Sequence, residues 1–269
     1  MKGQTSNLEV ARVDSRGTRR FVDKIVRERP VTIFLNDSEV ATLMCTPSDL
    51  EPLAVGFLFA EGLVGGLRDV KKVSVDEKDG VVWVETKKPV ELSQDVVSRR
   101  YVTTGCGRGW TVVDATRGKS RLKIRSKSKL PVNSIPMLMT EFLRKSKLFR
   151  LTGGVHSAAI CNSRGILVYC EDIGRHSAID KVVGECILGG IRTKDKILVT
   201  TGRISSDIVV KAARSGVSIV ISKSAPTDLA VQLARDIGIT LVGFARGTRM
   251  NVYSKESRIV ARSQNTLSR

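Results

Sequence analysis

Aromatic residues make up only 4% of this 269-residue sequence. Proteins that bind single-stranded nucleic acids commonly stack the bases on aromatic side chains, so this scarcity argues against such a role. The five cysteines are odd in number and form no Cys-x-x-Cys pair. We therefore expect no disulfide framework and predict a reducing, cytoplasmic location.

Long apolar runs are absent as well. The longest uninterrupted apolar stretch, residues 52–60, is far shorter than the roughly 20 residues of a membrane-spanning helix. Residues 1–20 contain no apolar segment of the signal-peptide type. With 41% hydrophobic and 27% charged residues, the composition predicts a soluble globular protein without membrane association.

Acidic residues are outnumbered by basic ones. The sequence contains 27 Asp and Glu residues and 45 Lys and Arg residues, which gives a net charge of +18 and a pI near 10.1. This excess favours a polyanionic partner: nucleic acid, an acidic protein, an anionic membrane or a phosphate-rich ligand. From Arg117 to Lys129 every second residue is basic, which places these side chains on one face of an extended segment. That face is either a binding surface or a solvated edge strand leading into a linker.

The sequence divides into four predicted segments. Residues 1–20 read as a flexible basic leader, and residues 256–269 read as a basic tail. Residues 21–130 predict an N-terminal α+β domain with two hairpins, which turn near Asp37-Ser38 and Asp79-Gly80. Residues 131–255 form the C-terminal domain, because the segment between Pro131 and Pro136 is typical of a boundary.

A helix is predicted between the two N-terminal hairpins. Ser48 is the expected N-cap, with Glu51 three residues later in a capping box. An apolar stretch follows, and Gly65-Gly66 is the expected stop signal.

Continuous Val/Ile strands alternate with helices in the C-terminal half, which predicts the α/β class with a parallel sheet covered on both faces. Loops at residues 201–207, 222–228 and 244–249 follow three of these strands. They carry Arg203, Lys223, Arg246 and Arg249. Because ligands bind at the carboxyl ends of such strands, we predict a phosphate or pyrophosphate site there. The alternative is that these cations are only surface charge, since no Gly-x-Gly-x-x-Gly or Walker loop is present.

The only two histidines lie in polar, glycine-containing motifs, "TGGVHSAA" (152–159) and "EDIGRHSAIDK" (171–181). One strand-to-helix junction is surrounded by Asp172, Arg175, His176 and Asp180. Such a concentration of charged residues indicates a functional site more than a part of the hydrophobic core. We expect His176 to form a hydrogen-bonded cluster with Asp172 or Asp180. Neither histidine has a second ligand at metal spacing, so we expect no metal at either.

One cysteine differs from the other four. In "TTGCGRGW" (103–110), Cys106 has glycine on both sides and Arg108 nearby, and Arg99 and Arg100 precede it. Positive surroundings lower the pKa of a thiol and favour the nucleophilic thiolate. The other four lie in apolar strand or helix patterns and are expected to be core residues: Cys45, Cys161, Cys170 and Cys186. The alternative for Cys106 is a loop thiol without chemistry.

Five ordered motifs resemble the FdhD family, the formate dehydrogenase accessory sulfurtransferases. They are "TGGVHSAAI", "EDIGRHSAIDKVVG", "TTGRISSDIVVKAA", "SAPTDLAVQLA" and "GITLVGFARGTRMNVY", and fainter agreement extends the resemblance to residues 31–253. The resemblance implies a cytoplasmic homodimer whose C-terminal domain is a cytidine-deaminase-like three-layer αβα fold with a mostly parallel sheet. It also implies a sulfurtransferase that receives sulfane sulfur from a cysteine desulfurase. The sulfur passes to the molybdenum or tungsten bis(guanine dinucleotide) cofactor of the formate dehydrogenase catalytic subunit, and this cofactor is the bound substrate.

The resemblance also implies roles for individual residues. The family's loop commonly reads Cys-Gly-x-Cys; Cys106 and Gly107 match it, but Gly109 replaces the second cysteine. Without a neighbouring thiol to release the sulfur, we expect Cys106 alone to carry a persulfide and to pass its terminal sulfur to the metal. The residues matching the family's cofactor-contacting stretch are Phe244, Ala245, Arg246, Gly247, Thr248 and Arg249. Arg203 and His176 are expected to line the same pocket.

Two other functions are compatible with parts of this pattern. A zinc-dependent deaminase requires His-x-Glu followed by Pro-Cys-x-x-Cys. Here His156 is followed by Ser157 and Ala158, and no Cys-x-x-Cys exists, so the ligands for zinc are lacking. The remaining alternative is a non-enzymatic, basic nucleic-acid- or nucleotide-binding protein, whose binding would depend steeply on salt. The sulfur-transfer function instead predicts no specific nucleic acid partner.

Overall fold

The computed structural model describes residues 3–90 and 122–261, together with the backbone of the short strand at residues 101–102. Its first large unit is a five-stranded sheet with one helix. In chain order the elements are β3 (Arg29–Leu35), β4 (Ser38–Cys45), α1 (Leu50–Glu61), β5 (Val70–Asp76), β6 (Val81–Thr86) and β7 (Tyr101–Val102). The strand order is β5-β6-β3-β4-β7, and the inward side chains of β3, such as Val31 and Ile33, pack on α1. Both predicted N-terminal hairpins are confirmed.

The predicted start of α1 is wrong in detail. The helix begins at Leu50, and its N-cap is Asp49, which has a left-handed backbone (φ 52°) and makes no side-chain cap hydrogen bond. Ser48 lies one residue too early for a side-chain oxygen to reach the first free amides of the helix. The helix ends at Glu61, where Gly62 adopts the left-handed conformation (φ 78°) that commonly terminates helices.

The described part of the predicted leader, residues 3–20, belongs to a hairpin and not to a flexible segment. Strands β1 (Thr5–Asp14) and β2 (Gly17–Val26) pair along their full length as an antiparallel hairpin, and β2 lies against the short helix at Lys147–Thr152. The sequence did not predict these strands because charged residues occupy both faces. Three apolar residues of this hairpin, Leu8, Val13 and Val22, are exposed.

The second large unit contains a six-stranded sheet. Its elements are β8 (Leu130–Pro131), α2 (Ser134–Lys145), α3 (Lys147–Thr152), β9 (His156–Asn162), β10 (Gly165–Asp172), α4 (Arg175–Leu188), β11 (Ile197–Thr200), α5 (Ser206–Arg214), β12 (Ile219–Ser222), α6 (Asp228–Ile237), β13 (Thr240–Arg246), β14 (Arg249–Ser254) and β15 (Ile259–Val260). The order in the sheet is β10-β9-β11-β12-β13-β14. Helices α4, α5 and α6 cover one face and α2 covers the other, so the layers are αβα. The α/β class is confirmed.

Parallel pairing in this sheet is confined to β11, β12 and β13. The outer strands β9, β10 and β14 are antiparallel to their neighbours. The reason is connection length: the tight turns that join β9 to β10 and β13 to β14 permit only antiparallel pairs, whereas a parallel pair needs a crossover. The sheet is therefore mixed where a mostly parallel one was expected.

The two units meet where α1 crosses α4. A Cβ atom on Gly56 would lie 1.9 Å from the carbonyl oxygen of Asp180, and one on Gly184 would lie 1.9 Å from that of Pro52. Only glycine permits two helix backbones to approach so closely. This crossing buries α1 between the five-stranded sheet and the helical layer of the second unit.

The predicted boundaries at residues 130 and 256 do not match the packing. The amide of Ile124 already donates to the carbonyl of Ile237 (2.8 Å), and β8 pairs with β15. Arg258 is buried and donates to the carbonyl of Gly238 (2.7 Å). Residues 122–130 and 256–260 therefore belong to the second unit. Short segments of this kind carry too little apolar pattern to be recognised in isolation.

The described part of the basic run is extended, as its period of two predicted. Lys123, Arg125, Lys127 and Lys129 are exposed, and the residues between them are half-buried. The remainder of the run, residues 117–121, lies outside the described residues.

Candidate functional site

One edge of the six-stranded sheet gathers the polar residues that the sequence singled out. The parallel strands β11, β12 and β13 end at this edge. Because β9 is antiparallel to β11, its first residue, His156, lies at the same edge. Strand β10 also ends there, with Asp172 opposite His156, and α4 begins three residues later. The edge therefore combines three strand-end loops with the histidine motifs.

Hydrogen bonds tie the three loops together. The hydroxyl of Ser224 donates to the carbonyl of Thr201 (2.9 Å), and the amide of Phe244 donates to the carbonyl of Ser224 (3.1 Å). The hydroxyl of Ser222 donates to the carbonyl of Gly202 (2.6 Å). Residues 201–207, 222–228 and 244–249 thus form one connected surface, which brings their cations to one place.

The cations on this surface are accessible. Arg203, Arg246 and Arg249 are exposed, and Arg246 Nε donates to the carbonyl of Lys223 (3.3 Å). Phe244 has a left-handed backbone (φ 51°) and an exposed ring, whereas Ala245 is buried. The turn continues through Gly247 (φ 54°) and the exposed Thr248. The stretch "FARGTR" therefore presents its ring and guanidinium groups outward.

Two helix N-termini at this edge lack a side-chain cap. Gly174 at the start of α4 has no side chain to offer, and Ser205 at the start of α5 makes no cap hydrogen bond. By contrast, Thr227 caps α6 by accepting from the amide of Ala230. Uncapped first-turn N–H groups and the positive end of the helix dipole both favour anions. Together with the exposed arginines, they make this edge suited to phosphate groups.

Both histidines face this edge and are held neutral. His156 Nδ1 lies 3.2 Å from Thr201 Oγ1, and burial, with the charges of Arg175 and Arg203, lowers the pKa of His156. Burial, together with the charges of Lys211 and Arg175, lowers the pKa of His176 to about 3. At neutral pH both imidazoles can therefore donate one hydrogen bond and accept another.

The expected partners of His176 are wrong. Its Nε2 lies 3.4 Å from Ser205 Oγ and 4.0 Å from Asp207 Oδ2, and it contacts neither Asp172 nor Asp180. Those two carboxylates are fully buried and are engaged by lysines. Lys181 lies 2.7 Å from Asp172, and Lys211 lies 2.5 Å from Asp180. A buried carboxylate requires a charged partner, and lysines deeper in the fold supply it.

The Asp172–Lys181 pair also reaches the first unit. Asp172 accepts from the amide of Thr46 (3.1 Å), and Lys181 donates to the carbonyl of Thr46 (3.0 Å). The hydroxyl of Thr46 accepts from the amide of Ile173 (3.1 Å). Burial raises the pKa of Asp172, and the charge of Lys181 opposes that shift. Three contacts to one threonine thus anchor the end of β4 beside the N-terminus of α4.

The sequence analysis did not predict several residues of this edge. Thr201 bridges the ring of His156 and the amide of Ser157, and Ser205 and Asp207 contact His176. The polar run "TTGRISSD" could have indicated these residues, but the sequence analysis singled out only its arginine, Arg203.

Glu171 has a structural role that the sequence analysis did not predict. Its carboxylate accepts from the hydroxyl of Ser146 (2.6 Å) and from the amides of Leu148 and Phe149 (both 3.1 Å), which satisfies the first turn of α3. Helix α3 thereby remains attached beside the candidate site.

The four cysteines expected in the core are buried: Cys45, Cys161, Cys170 and Cys186. Burial raises the pKa of Cys45, Cys161 and Cys186 to about 12, and it raises that of Cys170 further. These thiols are therefore protonated at neutral pH and behave as small apolar side chains. Cys106 and its loop lie outside the described residues.

Over residues 3–90 and 122–261, no group of three or more His, Cys, Asp and Glu side chains is arranged to hold a metal ion. That neither histidine binds metal remains a prediction. No helix in the same part of the chain has the length and apolarity needed to cross a membrane.

Comparison with known proteins gives consistent results. The sequence profile of the FdhD/NarQ family matches residues 26–260. The sulfur carrier protein FdhD of Bacillus subtilis (strain 168) is 40% identical over 255 residues, covering 95% of this chain and 97% of that protein. The sulfur carrier protein FdhD of Listeria monocytogenes serovar 1/2a is 39% identical over 256 residues, covering 94% and 98%. A crystal structure described as that of a formate dehydrogenase accessory protein from Desulfotalea psychrophila superposes with a TM-score of 0.81 at 29% identity, covering 96% of this chain and 100% of that one.

Proposed function

Because this chain belongs to the FdhD/NarQ family, we propose that it is a sulfur carrier that serves the maturation of formate dehydrogenase. The relatives named as sulfur carriers match along nearly their whole length, so the role is proposed for the whole chain. The finer proposal is that Cys106 carries the sulfur as a persulfide and that the anion site at the sheet edge holds the acceptor cofactor.

The observation that carries the Cys106 proposal is the state of the other cysteines. All four lie in the core with pKa values raised by burial, so none offers a thiolate to a sulfur donor. Cys106 stands between two glycines with Arg108 close in sequence, and such surroundings favour a thiolate. By elimination and by its surroundings, Cys106 is the best candidate for the sulfur-carrying residue.

The proposed carrier step is a thiol exchange. The thiolate of Cys106 attacks the terminal sulfur of a persulfide on a cysteine desulfurase, a bond forms between the two sulfurs, and the desulfurase cysteine leaves as a thiolate. No net oxidation occurs, because one sulfur–sulfur bond replaces another. Gly109 stands where a resolving cysteine would attack the new persulfide, so the carried sulfur is not released as sulfide.

The acceptor proposed for this sulfur is a molybdenum or tungsten bis(guanine dinucleotide) cofactor, bound as a substrate. Its pyrophosphates fit the uncapped N-termini of α4 and α5 and the guanidinium groups of Arg203, Arg246 and Arg249. His176, neutral and 3.4 Å from Ser205, would offer a hydrogen bond to the same ligand. When bound, the cofactor supplies the metal that accepts sulfur.

The proposed partners follow from this scheme. They are a cysteine desulfurase as donor and the catalytic subunit of formate dehydrogenase as recipient of the sulfurated cofactor. The carrier itself is proposed to act as a cytoplasmic homodimer.

Mass spectrometry tests the carrier step directly. The protein is incubated with a cysteine desulfurase and L-cysteine, digested without reductant, and mapped. We expect an increment of about 32 Da, one sulfur atom, on the peptide that contains Cys106. In the matched variants, Cys106→Ala should lose the increment, whereas Cys45→Ala and Cys186→Ala should keep it.

A formate dehydrogenase activation assay complements the mapping. Cys106→Ala should fold normally and leave the dehydrogenase inactive. Full activation by Cys106→Ala, or an increment on a core cysteine in the wild-type protein, would show that Cys106 is not the carrier.

A further inference from the structure

A second concave surface lies at the edge of the sheet opposite the candidate site. Two cavities of about 610 and 450 Å³ open there, at the amino ends of the parallel strands. Lys123, Ile124 and Arg125 line both cavities, which therefore adjoin along this extended segment, and we call the two together the basic groove. The loop that follows α1 and the segments that follow α4, α5 and α6 line the rest of the groove.

Cations dominate the basic groove. Among the residues that the structure describes, nine Lys and Arg residues and two carboxylates, Asp195 and Asp236, line it. Several of the cations are exposed, including Arg125, Lys127, Arg192, Lys194 and Lys255. Such a concentration of one sign in a concave surface attracts anionic partners.

The floor of the groove is apolar. Phe59, Ile124, Ile187 and Ile191 line its larger cavity and are only partly buried. A polar rim around an apolar floor is typical of surfaces that bind polypeptide side chains. Phe59 is the only aromatic residue among the described residues of this lining, so the groove lacks the stacking platform that single-stranded nucleic acids use.

The spacing of the exposed cations matches an extended peptide. The cations of residues 123–129 recur at every second residue, about 6.6 Å apart, which is the repeat of same-side residues in an extended peptide. Helices α4, α5 and α6 direct their C-termini, the negative ends of their dipoles, toward this edge. An anionic ligand bound here is therefore held by the side-chain cations and not by these helix dipoles.

We propose that the basic groove docks an extended acidic polypeptide segment of a partner protein, with carboxylates on the cationic wall and apolar side chains on the floor. The groove is built from both units of the fold and is separate from the residues of the candidate site. The proposal therefore stands or fails independently of the sulfur-carrier role.

Fluorescence anisotropy tests this surface. The probe is a short fluorescein-labelled peptide in which glutamate alternates with leucine and serine, titrated with the full-length protein at about 50 and 200 mM salt. Its glutamine counterpart, an all-glutamate peptide and a single-stranded oligonucleotide of equal charge serve as comparison probes. We expect the glutamate–leucine peptide to bind tightest, because it alone matches both wall and floor.

Charge-reversal variants locate the binding. Arg125→Glu/Lys127→Glu changes two exposed side chains and should weaken peptide binding at least about tenfold. Arg192→Glu/Lys194→Glu, in the segment that follows α4, should do the same. The matched control Lys87→Glu/Lys88→Glu makes the same change of net charge on exposed residues of the first unit and should stay within about twofold.

Three results would overturn the proposal. Equal losses in the groove variants and in the control would show that net charge alone attracts the peptide. Equal affinity of the glutamine peptide would remove the role of the cations. Tighter binding of the oligonucleotide, lost in the groove variants, would assign the groove to nucleic acid.

Discussion

The two histidines show how an environment sets the chemistry of a residue. Each lies within 3.4 Å of a hydroxyl oxygen, and burial, together with nearby cations, lowers the pKa of each imidazole. In the unfolded chain a histidine has an ordinary pKa of about 6.5. The folded protein therefore keeps His176 neutral between about pH 3 and pH 6.5, where the unfolded chain binds a proton.

This difference makes a prediction for the NMR titration of the imidazole resonances. In the folded protein neither histidine should titrate at the ordinary value, and His176 should stay neutral as the pH falls to about 4. Because the chain has only two histidines, His176→Gln assigns both signals. A midpoint at or above 6.5 for His176 would contradict the buried, cation-surrounded environment.

The same shift has a consequence for stability. Since the unfolded state binds the extra proton, the contribution of neutral His176 is fully present above about pH 6.5 and is lost progressively as the pH falls toward 3. Urea unfolding at pH 7 and pH 5 should therefore show a smaller loss in His176→Gln than in the wild-type protein. An equal loss in both proteins would show that His176 does not contribute to the pH dependence.

Arg249 carries a prediction for nucleotide binding. It is exposed at the turn of the connected loops, and a charge-assisted contact to phosphate is worth about 1.5 to 3 kcal/mol. Arg249→Ala should therefore weaken GDP binding about tenfold or more, as measured by calorimetry. Arg164→Ala, at the β9–β10 turn on the opposite edge, is the matched control and should bind GDP normally. Unchanged affinity in alanine variants of Arg203, Arg246 and Arg249 would remove the proposed site.

At the scale of elements, helix propensity and packing predict opposite effects on stability for a glycine-to-alanine change where α1 crosses α4. By propensity alone, Gly184→Ala stabilises a helix by about 1 kcal/mol. The added Cβ would, however, lie 1.9 Å from the backbone oxygen of Pro52, which cannot yield without a shift of α1. We therefore expect a net destabilisation of about 1 to 3 kcal/mol in urea unfolding.

Two further variants make the crossing test specific. Gly56→Ala, on the facing helix, should destabilise the protein similarly, because its Cβ would meet the carbonyl oxygen of Asp180. Glu185→Ala changes a neighbouring, half-buried position of α4 and should have little effect. Increased stability of Gly184→Ala would show that the helices can separate at no cost.

At the scale of the whole molecule, the Asp172–Lys181 pair joins the two units through Thr46. Lys181→Met should destabilise the protein by about 3 to 5 kcal/mol, because it leaves a buried carboxylate without its cation. Adding Asp172→Asn should restore much of the loss, since a neutral pair needs no charge compensation. A double variant no more stable than Lys181→Met would contradict this account of the pair.

The same junction predicts cooperative unfolding. Because α1 is buried between the two units, neither can open without exposing the other. Circular dichroism and the fluorescence of Trp83, which lies on β6 of the first unit, should therefore report the same urea midpoint in a Trp110→Phe variant, which leaves Trp83 as the one tryptophan of the sequence. Separate midpoints would indicate that the units unfold independently.

The sequence by itself determined the elements that depend on neighbouring residues. Val/Ile runs that alternate with helical segments predicted the strand–helix alternation that the structure shows as β11, α5, β12, α6 and β13, because strand and helix periodicities are local. The apolar surroundings of four cysteines likewise predicted their burial. The convergence of the strand-end loops followed from the right-handed connection rule, which needs only the order of the elements.

Only the tertiary structure decided which residues become partners. Asp172 and Asp180 were predicted as partners of His176, yet they pair with Lys181 and Lys211, because Asp172 at the end of β10 and Asp180 on α4 are both buried in the interior. The close contact of Gly56 with α4 joins residues more than one hundred positions apart, and the N-terminal hairpin rests on α3 from a similar distance. The basic groove, too, exists only because the alternating run lies beside the ends of three helices. Burial and charge compensation act between elements that folding brings together. The residues next to an element in the sequence do not indicate which other element it will contact.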